Sequence, residues 1–134
     1  MILSRPEQVR KCFDASAELR LDHKYYRQLV LAFLDNLLAM DTGNGDVARQ
    51  PAEYYSQRVT AIIKAKSPAI IAGLAEIRAF LDHHNLKSQT DFSDGDNVKG
   101  GENILTIKGP AGQILTVERT ILNIFQRLSG IASI

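Results

Sequence analysis

The sequence predicts a single α+β domain, a small antiparallel sheet with flanking helices. Three observations predict it. Apolar residues recur at helical spacing around residues 23–40, 74–84 and 117–131. Between residues 57 and 116, short apolar and β-branched runs alternate with glycine-containing turns, the pattern of a strongly bent sheet. The chain has 134 residues, of which 45% are hydrophobic, enough for one core and one domain.

The elements follow in order. Ser4 and Glu7 have the spacing of a capping box, so a first helix is expected over residues 5–18, through Val9 and Phe13. Asp22 caps a longer helix over 23–40. Tyr26, Leu29, Val30, Phe33, Leu37 and Met40 share about one third of its wheel. Leu31, Leu34 and Leu38 widen that surface. A helix this apolar is buried on two sides, as a central core helix or partly beneath a second subunit.

Asp41-Thr42-Gly43-Asn44-Gly45-Asp46-Val47 breaks this helix with two glycines. Its alternating Asp, Asn and Asp suit calcium, but the later Glu of an EF-hand is missing, and local Asx bonds account for the composition. Pro51 to Ser56 is a linker or a short turn of helix.

A strand is expected over 57–66, then a Ser67-Pro68 turn and a short apolar stretch from Ala69 to Gly73. Leu74, Ile77, Phe80 and Leu81 place a helix over 74–84. His83 and His84 close it as cations at a helix C-terminus, and the sequence advertises no further ligands converging on them. Further strands are expected over 86–92, 103–108 and 113–116, separated by turns at Asp94-Gly95-Asp96-Asn97, Lys99-Gly100-Gly101 and Gly109-Pro110-Ala111-Gly112. The Val98, Gly100-Gly101, Leu105 spacing resembles half of a lipoyl or biotinyl carrier domain. That resemblance reflects shared sheet geometry, because Lys108 lacks the flanks of a modifiable lysine at a hairpin tip.

Composition excludes several classes. Sixteen Lys and Arg against fifteen Asp and Glu give a net charge of +1, so no nucleic-acid partner is expected. A single cysteine, Cys12, excludes an internal disulfide and a cysteine metal cluster, and suits a reducing compartment. The first five residues form no signal peptide, and no window approaches a membrane span. A cytoplasmic protein without membrane contact is expected.

The final helix, over 117–131, splits in two on a wheel. Val117, Ile121, Ile124, Leu128, Ile131 and Ala132 form an apolar face with Phe125 at its edge. Arg119, Asn123, Gln126 and Gly130 form the opposite one. A mid-helix glycine costs about 1 kcal/mol against alanine, so Gly130 implies a packing or ligand reason. The pattern stops at Ile134 without a cap, which reads as a cut through a longer architecture.

Glu118-Arg119-Thr120-Ile121-Leu122-Asn123-Ile124-Phe125-Gln126-Arg127-Leu128-Ser129-Gly130-Ile131-Ala132 resembles the segment of quinolinate phosphoribosyltransferases that joins their N-terminal domain to their barrel. The resemblance extends more loosely back to about Phe33, and so over roughly three quarters of the chain. The 41–47 loop resembles the family's Asp-x-Gly-x-Gly-Asp loop, with Ala48-Arg49 where two threonines are usual.

The resemblance implies an N-terminal, hammerhead-like α/β sandwich followed by an incomplete α/β barrel that this chain does not hold. It divides the chain into an N-terminal helical extension with the start of the core helix (1–32), the α/β domain (33–116) and a helix leading to the barrel (117–134). It implies enzymes that convert quinolinate and phosphoribosyl pyrophosphate, with magnesium, to nicotinate mononucleotide, pyrophosphate and carbon dioxide for NAD synthesis. They act as dimers in which the N-terminal domain of one subunit covers the barrel mouth of the other. Arg119 matches the arginine lent across the dimer to the quinolinate carboxylates, with Asn123 and Gln126 as secondary substrate-binding candidates. No catalytic or metal-binding residue falls in this chain, and magnesium would be held in the full enzyme with phosphoribosyl pyrophosphate. The chain alone is expected to be inactive, and to form a homodimer or associate with a barrel domain.

Two other readings stay open. One is a non-catalytic α/β module that binds a protein partner through its exposed helix. The other is a related phosphoribosyltransferase with a different substrate, such as a nicotinate phosphoribosyltransferase or the molybdenum-transport paralogue. Barrel-coding DNA next to codon 134 would favour the enzyme over the module.

Overall fold

The computed structural model describes residue 2, residues 4–42 and residues 52–134. From Gly43 onward the glycine loop, with Ala48-Arg49 and Pro51, lies outside the described residues. The elements are α1 (Arg5–Phe13), α2 (Lys24–Thr42), α3 (Ala52–Ser56), β1 (Arg58–Lys64), β2 (Ala69–Ile70), α4 (Leu74–His83), β3 (Lys87–Gln89), β4 (Asn97–Val98), β5 (Asn103–Pro110) and α5 (Ala111–Ala132). This is the expected α+β architecture.

β5 is the centre of a three-stranded antiparallel sheet, with β1 on one side and β3 on the other. Its register aligns Val59 with Gly109, Ala61 with Ile107 and Ile63 with Leu105. Opposed residues share a face, so these pairs line the core side. Thr60, Ile62, Lys87, Thr106 and Lys108 lie on the other side, where Ile62 is 49% exposed. Lys108 thus sits inside a strand, opposite Thr60 and Lys87, away from any hairpin tip. A second sheet pairs the two-residue strands β2 and β4.

Phe80, Leu81, Ile77 and Leu74 from α4 meet Leu105 and Ile107 from β5 and Val117, Ile121 and Phe125 from α5 in one buried cluster. Each fully buried aliphatic or aromatic side chain contributes roughly 1.5–3 kcal/mol, which is why this cluster sets the fold. α4 begins at Gly73, whose φ of +84° favours glycine. Gly73 has no side chain to cap with, and Asp94 replaces it. Leu74 and Ala75 donate their backbone N–H groups to the Asp94 carboxylate at 2.7 and 3.1 Å.

Several expectations need correction. α1 ends at Phe13, not near residue 18. Asp14 Oδ1 accepts from Ser16 N and Oγ at 3.1 and 2.5 Å, a local turn that competes with helix. The strand expected over 86–92 shrinks to β3, because Thr90 turns its hydroxyl to the Ile104 carbonyl, 2.6 Å away. No strand spans 113–116: those residues are helical, and α5 starts six positions before the expected 117. Pro110, with φ −62° and ψ 134°, is the N-cap of α5 rather than part of a turn. Gly112 is there because Tyr55 of α3 comes close, and a Cβ would sit 2.5 Å from its ring.

The stripe expected to bury α2 is also rotated. Leu34 is the buried residue, with Val30, Leu31, Leu37 and Leu38 packed beside it. Leu29, Phe33 and Met40 are exposed. A helix apolar around most of its circumference does not reveal which side its neighbours cover, and α4 and α5 cover the Leu34 side.

Candidate functional site

α5 carries the residues singled out above. Its N-terminus is tied down where Ala111 N donates to the Gln57 carbonyl at 2.8 Å. Val117, Thr120, Ile121 and Phe125 are buried and fix its rotation. Thr120 is 1% exposed and donates its hydroxyl to Asp41 Oδ2, 2.7 Å away at the end of α2. At the far end, Ile70 N donates to Ser133 Oγ at 2.8 Å and Ala72 N to Ser129 Oγ at 3.2 Å. The helix is therefore held at its start, middle and end.

Arg119, Asn123 and Gln126 are exposed on this fixed helix. Their i, i+4, i+7 spacing spreads them over roughly 10 Å of one stripe. None has a hydrogen bond or ion pair among the described residues. Gln126 lines an apolar groove of about 730 Å³ between β1 and α5, together with Val59, Ile63, Ile104 and Leu122. Arg119 and Asn123 line neither this groove nor a second cleft of about 600 Å³ beside Tyr55, His83 and Gln113. The apolar face holds through Phe125 and then opens, with Ile131 64% exposed. No packing contact within the described residues explains Gly130, since a Cβ there meets nothing within 4 Å.

Residues 46–129 match the family described as quinolinate phosphoribosyl transferase, N-terminal domain. The chain belongs to the quinolinate phosphoribosyltransferase family. It is 36% identical over 107 residues to a probable carboxylating nicotinate-nucleotide pyrophosphorylase of Methanocaldococcus jannaschii, covering 80% of this chain and 37% of that protein. It is 41% identical over 103 residues to its Bacillus subtilis counterpart, covering 75% and 35%. The nicotinate-nucleotide pyrophosphorylase structure from Francisella tularensis superposes with a TM-score of 0.70 at 30% identity, over 79% of this chain and 38% of that one. The chain thus spans a little over a third of the length of these relatives. No described helix is long and apolar enough to cross a membrane.

One cluster has no local signature in the sequence. Asp35 Oδ1 lies 2.8 Å from His84 Nε2, and Asp35 Oδ2 lies 3.3 Å from His83 Nε2. Sequence places the two histidines at the end of α4, but not Asp35 from α2 against them. The magnesium implied by the family prefers an all-oxygen shell. Among the described residues, the ligand set that converges is two imidazoles and one carboxylate. This set does not fit magnesium.

Proposed function

We propose that this chain is the N-terminal part of a quinolinate phosphoribosyltransferase, and that it lends Arg119 across a dimer to the quinolinate carboxylates. The observation that carries this is the contrast between neighbours. Thr120 is buried and bonded to Asp41, whereas Arg119, one residue earlier, is exposed with no partner among the described residues. The backbone is fixed while the guanidinium is free. A planar fork of donors suits a carboxylate and stays charged at any working pH.

In the complete enzyme the pyridine nitrogen of quinolinate bonds to the ribosyl carbon as its bond to pyrophosphate breaks. The adjacent carboxyl then leaves as carbon dioxide and a proton takes its place on the ring. Arg119 binds and orients the dicarboxylate, with Asn123 and Gln126 beside it. Magnesium would accompany the phosphoribosyl pyrophosphate in the complete enzyme, held outside this chain. Residues 1–32 are an extension, 33–116 the covering domain and 117–134 the path to the barrel. The lone exposed Cys12 suits a cytoplasmic setting.

This chain by itself is inactive in this reading. Developing charge on the pyrophosphate needs placed cations, and the chain has no glycine-rich phosphate loop. Incubation with quinolinate, phosphoribosyl pyrophosphate and magnesium yields no mononucleotide; turnover overturns the claim. The site itself is tested in the barrel-containing polypeptide. Arg119→Ala and Arg119→Lys both lose activity with the fold intact. Mixing Arg119→Ala with a barrel-disabled subunit restores part of it once subunits exchange. Absence of recovery after proven exchange would show that Arg119 does not act across the dimer.

A further inference from the structure

We propose that Asp35, His83 and His84 form a binding site for one divalent transition-metal ion of the zinc class. This rests on the cluster alone and is independent of the phosphoribosyl-transfer reading.

Adjacent residues on an ideal helix point about 100° apart, so neighbouring histidines rarely share a ligand. Here the helix stops between them. His83 is the last residue of α4, and His84 is the C-cap with φ −92° and ψ 17°. Asn85 follows with a positive φ of 58° and turns the chain away. The His84 ring packs edge-on against Phe80, with centroids 4.6 Å apart. The two imidazoles stand at 88° to each other, 5.3 Å between centroids. Both Nε2 atoms consequently face the same α2 carboxylate, that of Asp35.

The three ligand atoms lie within 4.8 Å of one another. Zinc bonds of about 2.0–2.2 Å at tetrahedral angles separate neighbouring ligand atoms by roughly 3.4 Å. For Asp35 Oδ2, the 3.3 Å distance to His83 Nε2 already matches. His84 Nε2 lies 2.8 Å from the other oxygen, Oδ1, so the carboxylate either offers both oxygens to the ion or turns to present one of them to both rings. Side-chain exposures of 46% for His83 and 42% for Asp35 leave room for the ion to enter and for water to complete its shell. A doubly charged ion uses all three groups, the carboxylate and both imidazoles, as donors. The mixed nitrogen and oxygen set selects zinc, cobalt, nickel or copper over magnesium and calcium. A bound ion would join α2 to α4 across residues 35 and 83–84.

The chain has three histidines, so His23 is an internal control. The experiment titrates Zn²⁺ into the full chain, in a Cys12→Ser background that removes the exposed thiol, and follows the histidine ring signals by NMR. One equivalent is expected to shift the His83 and His84 signals and leave His23 unmoved. Mg²⁺ at millimolar concentration is expected to shift neither. Asp35→Asn and His84→Ala are each expected to weaken Zn²⁺ binding at least tenfold. At a given concentration zinc should also raise the melting temperature of the parent more than that of either variant. Unmoved rings at saturating Zn²⁺, or a response at His23 instead, overturn the proposal. The parent spectrum decides the matter even where a variant folds poorly.

Discussion

Thr120 donates its hydroxyl to Asp41 across 2.7 Å, tying the middle of α5 to the last turn of α2. Thr120 is buried while Asp41 reaches the surface. Thr120→Val keeps the shape and removes the donor. It should cost about 1 kcal/mol, the net worth of a hydrogen bond that water replaces in part at the carboxylate. Asp41→Asn should cost less than half of that, because its amide oxygen still accepts and a negative charge at a helix C-terminus is unfavourable. Urea unfolding of the two variants measures both; a larger loss for Asp41→Asn would contradict this ordering.

Asp94 should behave as a cap supplied from a distance. It accepts from the backbone N–H of Leu74 and of Ala75, two of the donors that the first turn of α4 leaves unpaired. Asp94→Ala is expected to lower stability by about 1–2 kcal/mol, and Asp94→Asn by roughly half as much. Hydrogen exchange should show the loss first at the amides of Leu74 and Ala75. Unchanged protection there would mean that Asp94 does not cap the helix.

Tyr26 links α2 to α4 by donating to Glu76 Oε1 at 2.9 Å. Burial, and then the bond to Glu76, push its phenol from an ordinary 10.0 up to about 12. A raised folded value means the neutral phenol is favoured by folding. Its contribution is complete below about pH 10 and disappears as pH rises through about 12. Phenolate absorbance should show one tyrosine titrating near pH 12, and Tyr26→Phe should remove that step. A Tyr26 step at pH 10 would refute the linkage.

The outward stripe of α2 predicts self-association. Leu29 is 68% exposed, Phe33 58% and Met40 79%, all on one helix. Contiguous apolar surface of this kind marks a contact site more often than a solvated face. Sedimentation at rising concentration should show a dimer, and Phe33→Glu should shift it to monomer. A parent that stays monomeric at high concentration excludes it.

Much of the fold is legible in the sequence because its periodicities are strong. The helix from Leu74 and the two long strands follow from spacing alone. The start of α5 does not, because Gly109-Pro110-Ala111-Gly112 has the composition of a turn. Ile114 and Val117 are three apart, a spacing that carries the helical face back beyond residue 117. Pro110 then reads naturally as a helix start. The outward face of α2 is illegible for a different reason: its burial depends on elements that arrive much later in the chain. Arg119 stands out in a stretch of local sequence, but the partnership of Asp35 with His83 and His84 joins positions too far apart for any local pattern to show. So does the Asp94 cap, which reaches back twenty residues.

The position of β5 bears on how the chain is made. β1 and β3 each pair with β5 and not with one another. During synthesis both strands therefore leave the ribosome before their partner, and the ladders of β3 and β1 are complete only once residues 108 and 110, respectively, have emerged. α5 follows directly after, so the strand that completes the sheet and the helix that covers it reach the nascent domain almost together.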